Sequence, residues 1–194
     1  MSQQWYHGTP NDFEAFDNAW LGKGTDQLGS GFYFAERIET ARGYALTSKE
    51  GANVESGFLL TAELDIKKPL PEYAPISRKQ IETIMRLSPD FEEAIWNYGD
   101  IGYYGEARIV KEAVDAFAAL NSDPDDNTLK MLFCLSNDFY RDYPAEFLAA
   151  VTKVTGYDGL YRDSGNGMHA VVWDAGQIEI VDRKEVIAER DLAM

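Results

Sequence analysis

The chain has 194 residues and is strongly acidic, with 33 Asp and Glu residues against 18 Lys and Arg residues and a formal net charge of −15. Hydrophobic residues make up 45% of the sequence, which excludes an intrinsically disordered chain and is enough for one domain with a sizeable core. The negative charge repels phosphate backbones, so it argues against non-specific binding to nucleic acid.

Membrane, disulfide and metal classes are also disfavoured. No stretch approaches the about 18 consecutive apolar residues of a membrane span, and the start of the chain lacks the features of a signal peptide. The single cysteine, Cys134, leaves no pair for an intrachain disulfide. The two histidines, His7 and His169, lie too far apart in the sequence for a metal-ligand motif. We therefore expect a cytoplasmic protein with no membrane partner and no bound metal.

The first 70 residues are predicted to combine short strands with helices. Strands are expected over residues 4–7, 32–34 and 57–66. Helices are expected over 11–16 and 36–46. Gly8-Thr9-Pro10 ends the first strand, and the glycine-rich stretch 21–31 predicts a mobile loop.

The middle of the chain, residues 76–155, is predicted to be mostly helical. Ser77-Arg78-Lys79-Gln80 resembles a capping box, in which the Ser and Gln side chains each bond to the other's backbone amide. Apolar residues recur at helical spacing over 106–120, and a turn-rich break follows at 121–127. Two shorter helices are expected over 128–136 and 144–154. We interpret this part as a helical insertion.

The last part of the chain returns to strands, which are expected over 159–161, 168–173 and 177–181. A glycine-rich turn at 163–167 indicates a hairpin, and residues 185–192 have the pattern of a terminal helix. Strands at both ends with helices between them, without regular alternation, favour an α+β fold over a doubly wound sheet.

Three local motifs on the two flanks contain the candidate functional residues. The two tyrosines of the second motif are separated by ten residues. The motifs are Tyr6-His7-Gly8-Thr9; then Gly29-Ser30-Gly31-Phe32-Tyr33-Phe34-Ala35 with Tyr44; and finally His169-Ala170-Val171-Val172-Trp173-Asp174 with Gln177-Ile178.

In this order the motifs resemble the diphtheria-toxin and poly(ADP-ribose) polymerase branch of the ADP-ribosyltransferases, whose signature is His, a Tyr pair with ten residues between its members, and Glu. They also resemble small ADP-ribosyltransferase domains of phage and mobile-element proteins. The match covers about 1–70 and 156–182. It implies one α+β domain over 1–194, with an ADP-ribosyltransferase-like split antiparallel β core and a helical insertion over about 76–155.

The resemblance implies NAD⁺ as the substrate. By it, Tyr33 and Tyr44 sandwich the nicotinamide ring, the backbone of Gly8 holds the carboxamide, and His7 bonds to the adenosine-side ribose. Taken alone, each of these residues also fits an ordinary structural role, and their order along the chain is what favours the site. The residues expected to contact NAD⁺ are His7, Gly8, Thr9, Phe32, Tyr33 and Tyr44.

The resemblance breaks where the family has the glutamate that begins the last core strand, because His169 stands there. A protonated histidine does not stabilise a cation, so we expect transfer of single ADP-ribose units and no polymer. Asp158 is the acid expected to compensate as a base. Further candidates are Asp163, Asp174 and Glu179. The expected catalytic residues are therefore His7, Tyr33, Asp158 and His169.

These residues predict a mono-ADP-ribosyltransferase that modifies a protein with a basic surface. A phage-encoded inhibitor of a bacterial defence complex, acting in the host cytoplasm, fits the size, the charge and the resemblance. The alternative is a non-catalytic module that binds NAD⁺, ADP-ribose or a protein and has lost the glutamate. Modification of nucleic acid needs a basic groove, for which the scattered cations are too few. We expect the helical insertion to recognise the target.

Overall fold

The computed structural model describes residues 3–23, 29–48, 51–122 and 128–188. The strands lie in the two flanks of the sequence and most of the helices lie in the middle, which confirms the predicted α+β class. The strands are β1 (Trp5–Thr9), β2 (Phe32–Ala35), β3 (Ser56–Leu64), β4 (Gly159–Asp163), β5 (Met168–Val172) and β6 (Ile178–Ile187). The α-helices are α1 (Ile38–Ala45), α2 (Arg78–Arg86), α3 (Phe91–Tyr98), α4 (Ile101–Tyr104), α5 (Glu106–Ser122), α6 (Thr128–Phe139) and α7 (Pro144–Thr155).

The described chain divides into two compact units. The first is built from both flanks of the sequence and holds the six strands together with α1. The second holds α2 to α7 and residues 29–30. A single domain with an insertion over 76–155 stays a prediction. Residues 24–28 of the expected loop at 21–31 and residues 123–127 of the expected break at 121–127 lie outside the described residues.

The strands of the first unit form one antiparallel sheet in the order β4-β5-β2-β1-β3-β6. Four of its junctions have between four and nine paired positions. The junction between β1 and β2 has a single pair, Tyr6 opposite Ala35. We call this junction the β1–β2 seam. It divides the sheet into two three-stranded halves, which confirms the predicted split β core.

Helix α1 packs directly on the sheet because two glycines leave room for its backbone. A Cβ atom on Gly8 would overlap the carbonyl oxygen of Ala41 and lie 2.7 Å from the backbone nitrogen of Ala45. A Cβ atom on Gly57, in the neighbouring strand, would overlap the carbonyl oxygen of Ala45. Both alanines are fully buried. Glycine at these two positions is therefore required by packing.

The sequence pattern predicted helices α2, α5, α6 and α7 of the second unit, but it did not identify α3 and α4 individually. The capping box is present, since the Ser77 hydroxyl accepts from the Gln80 amide and the Gln80 side chain accepts from the Ser77 amide. Helix α7 starts at Pro144 and ends at Gly156, whose φ of 78° is left-handed backbone that glycine adopts without strain. Apolar side chains of α5 and α6 are buried together. Within the described residues, the helices are too short or too polar to cross a bilayer.

Two predicted helices are wrong. Residues 11–16 are not helical; the rings of Phe13 and Phe16 pack on His7, and a short 3₁₀ turn follows at Asn18–Trp20. The expected helix over 185–192 is wrong as far as Ile187, because β6 continues to that residue along β3. The rest of that prediction falls almost entirely outside the described residues.

Candidate functional site

The two faces of the sheet carry different kinds of side chain. Residues directly opposite each other on paired strands share a face, and neighbours along a strand alternate. Because Ala35 lies opposite His169 and Tyr33 lies opposite Val171, these four residues share a face. That face also packs on α1, since Ala35 forms a buried cluster with Ala41. We call it the α1 face and the other the aromatic face.

His7 lies on the aromatic face and spans the β1–β2 seam. Its Nδ1–H donates to the carbonyl oxygen of Tyr33 at 2.8 Å. The rings of Phe13, Phe16 and Phe34 surround it, with centroids 5.1–6.1 Å away. Burial among these rings lowers the pKa of His7, which favours the neutral ring. Because Nδ1 carries the proton, Nε2 is the acceptor of this ring.

The two motif tyrosines lie on the α1 side of the sheet. Tyr33 is half-buried in β2, and Tyr44 is 58% exposed on α1 beside the buried Ala45. Gly8 lies in β1 beyond the single pair of the seam, where β1 remains paired with β3 but not with β2. The backbone N–H and C=O groups of β1 that point towards β2 beyond this pair therefore lie outside the β1–β2 hydrogen-bond ladder. The structure thus places Gly8, Tyr33 and Tyr44 on the α1 side of the sheet, with Gly8 and Tyr33 on the two strands that flank the seam.

Two of the expected NAD⁺ contacts are occupied by packing or local bonding. Phe32 is 7% exposed on the aromatic face and contacts the ring of Phe16 at 5.1 Å, so its side chain does not join Tyr33 on the α1 face. Thr9 is buried, and its hydroxyl accepts from the amide of Asn11 at 3.1 Å. The sequence motif placed these residues near the ligand because it does not show which way a strand side chain points.

His169 is the second residue of β5, the strand that pairs with β2, and charged residues lie near this position. Arg162 lies directly opposite His169 on β4 and shares its face. On the other side, the amide of Glu36 donates to the carbonyl of Met168 at 2.9 Å, and Glu36 Oε2 accepts from the Met168 amide at 3.2 Å. The sequence reasoning missed both charged residues. Glu36 directly follows the aromatic motif, but the strand register was needed to place it beside position 169.

Asp158 has a structural role in the second unit. Its Oδ1 accepts from the amide of Lys68 at 2.8 Å, and its own amide donates to the carbonyl of Lys68 at 3.2 Å. These bonds join the two ends of the segment 68–158 of the second unit and give no support to a catalytic base. Asp163 and Asp174 likewise accept from backbone amides of local turns. Within the described part of the chain, no group of three or more His, Cys, Asp or Glu residues forms a metal site.

Comparison with known proteins identifies the family. The family model "ADP-Ribosyltransferase in polyvalent proteins" matches residues 2–186. No curated protein matches the chain in sequence. A solved structure described as the crystal structure of an anti-CRISPR protein is 15% identical over 96% of each chain, with a TM-score of 0.33. A TM-score of this size does not establish a common fold. The extent of the family match does establish membership: the chain belongs to the ADP-ribosyltransferases of polyvalent proteins, a mobile-element type, and its split sheet is consistent with the core of that fold.

Proposed function

We propose that this chain binds NAD⁺ and transfers one ADP-ribose unit to a protein with a basic surface. The observation that carries the proposal is the placement of Tyr33, Tyr44 and Gly8 on the α1 side of the sheet, with Gly8 and Tyr33 on the two strands that flank the β1–β2 seam. Nicotinamide is a flat aromatic ring with a carboxamide. Tyrosine rings offer a stacking surface for the ring, and backbone groups outside a β ladder offer a donor and an acceptor for the carboxamide.

The reaction breaks the bond between the nicotinamide nitrogen and C1′ of its ribose. Nicotinamide leaves with the electron pair, the acceptor nucleophile forms the new bond to C1′, and the acceptor proton passes to a base or to water. The ribose is cation-like in the transition state. In this proposal His7 keeps Nε2 free of a proton, so that it accepts from a ribose hydroxyl of the dinucleotide.

The surroundings of position 169 limit this chemistry. The family places a carboxylate here, whereas this chain has His169 with Arg162 opposite. A guanidinium opposes the formation of a nearby cation, so the transition state gains less stabilisation than in the relatives. The nearby carboxylate is that of Glu36, which accepts a hydrogen bond from the backbone amide of Met168. We infer single-unit transfer at a modest rate and no chain elongation.

The target is proposed from charge and from the family. A net charge of −15 favours a basic partner protein and disfavours nucleic acid. Because the family belongs to polyvalent proteins of mobile elements, a host defence complex is the target class that we propose. The location would then be the host cytoplasm.

The experiment is mass spectrometry of a host-cell lysate incubated with the protein and NAD⁺, beside Tyr33→Ala and Tyr73→Ala. Tyr73 is a 62% exposed tyrosine of the second unit and serves as the matched control. We expect one protein to gain a single ADP-ribose with the wild type and Tyr73→Ala, and none with Tyr33→Ala. Equal labelling by all three proteins would contradict the site.

The second candidate function is binding without turnover, and the replacement of the family glutamate by His169 is the observation that favours it. His169→Glu separates the two functions. If the wild type binds NAD⁺ in calorimetry but leaves it intact while His169→Glu cleaves it, the chain is a binding module. If the wild type already cleaves NAD⁺, transfer is the function.

A further inference from the structure

The second unit exposes a group of aromatic rings in a stretch whose charged residues are all acidic. Residues 87–107 contain five Asp and Glu residues and no Lys or Arg. Trp96 is 67% exposed, Tyr103 79% and Tyr104 45%. The Tyr103 and Tyr104 rings contact each other with centroids 4.7 Å apart, and exposed rings that are grouped are typical of interaction sites. We call the group formed by Glu92, Glu93, Trp96, Tyr103 and Tyr104 the acidic aromatic face.

The charges and rings of this face lie on neighbouring turns. Glu92 and Glu93 precede Trp96 by four and three residues on α3, so their side chains share the exposed side of that helix, while Ile95 is buried. Helix α4, with Tyr103 and Tyr104, follows after two residues, and both helices pack on α5. Exposed carboxylates and rings thus lie on two successive helices within residues 92–104.

Rings in this part of the chain already bind guanidinium groups. Arg108 lies over the Tyr104 ring at 4.5 Å, and Arg86 lies over the Phe91 ring at 5.2 Å. Both arginines also bond to carboxylates, Glu112 and Glu82 respectively. A planar guanidinium stacks on a ring and bonds to a carboxylate at the same time, which an ammonium group does less well. Trp96 and Tyr103, with Glu92 and Glu93 close by, offer the same combination to a partner.

We infer that the acidic aromatic face docks an arginine-containing basic segment of another protein. Charge complementarity selects a basic partner, and the exposed rings select arginine over lysine. The inference deepens the proposed function, on which it rests for the identity of the partner as the protein to be modified. The docking itself needs no NAD⁺.

The test is fluorescence anisotropy with a fluorescein-labelled peptide of alternating arginine and glycine, in the absence of NAD⁺. The variant is Trp96→Ala/Tyr103→Ala. The control is Trp20→Ala/Tyr73→Ala, which removes rings of the same kinds that are 68% and 62% exposed elsewhere and leaves the net charge unchanged. We expect the variant to bind about tenfold more weakly and the control to bind as the wild type does. The matching lysine peptide should bind more weakly to the wild type.

Several outcomes would overturn the inference. They are equal loss in the variant and the control, no binding to the wild type, or equal affinity for the lysine peptide. A concentration-dependent dimer that the variant loses in light scattering would assign the face to a second copy of the chain instead. NAD⁺ cleavage by the same variants is measured in parallel. A variant that still cleaves NAD⁺ but no longer binds the peptide would separate docking from chemistry. If the wild type does not cleave NAD⁺, only the proposed function is contradicted.

Discussion

The two faces of the sheet differ in what fills them. On the aromatic face, the rings of Phe13, Phe16 and Phe34 pack around His7. On the α1 face, glycine and alanine hold a helix close, while Tyr33 remains half-buried. One strand thus contributes Phe34 to a core and Tyr33 to a candidate site. Substitutions at neighbouring positions should therefore have different consequences.

The largest effect is expected from Phe34→Ala on the aromatic face. Phe34 is 1% exposed and contacts the rings of His7 and Phe16, so its truncation leaves a cavity. The free energy of unfolding should fall by about 3–5 kcal/mol, measured by urea titration. Tyr33→Ala should cost less stability because its side chain is only half-buried. Equal losses would show that the faces do not differ in this way.

A smaller loss of stability is expected from Gly8→Ala on the α1 face. The added Cβ overlaps the α1 backbone, which should cost about 2–3 kcal/mol. Gly57→Ala meets the same helix and is the matched control, since no ligand contact is expected there. The affinities of the two variants for NAD⁺ are then compared by calorimetry. Weaker binding by Gly8→Ala alone would place the ligand at the seam, and equal binding would leave Gly8 with packing only.

His7→Asn and His7→Gln divide the two roles of His7. Asparagine places an amide donor near the Nδ1 position and keeps the bond to Tyr33 across the seam, whereas glutamine reaches the Nε2 position instead. We expect His7→Asn to be about 1 kcal/mol more stable than His7→Gln in thermal unfolding. His7→Asn should bind NAD⁺ weakly despite that stability. Strong binding by His7→Asn would assign His7 to the fold alone.

The smallest effect is a pH dependence of stability from His7. Burial lowers its pKa in the folded chain below the usual value of 6.5, so the unfolded chain binds a proton first as pH falls. The contribution of His7 is complete above pH 6.5 and is lost as pH falls towards the lowered pKa. The wild type should therefore lose stability relative to His7→Asn in this window. The loss should reach at most about 1.4 kcal/mol for each pH unit.

The sequence predicted local features better than pairings. The capping box at Ser77 and the amphipathic α5 were predictable because their signals lie within one helix. The strand character of Glu185 to Ile187 was not, because it comes from pairing with β3, a residue range far away in sequence. For the same reason the motifs located Tyr33 and His169, but Arg162 and Glu36 required the register of β4, β5 and β2.

The hydrogen bonds between Lys68 and Asp158 have a consequence for how the sequence can vary. The two residues are the first and last of the segment 68–158 of the second unit. In the next residue, Gly159, an added Cβ atom would lie only 2.9 Å from the Ile66 side chain. A segment whose ends meet in this way can be lengthened, shortened or exchanged while the strands on either side keep their register. Insertions, deletions and exchanges should thus be tolerated best within residues 68–158, because all six strands of the sheet lie outside that segment.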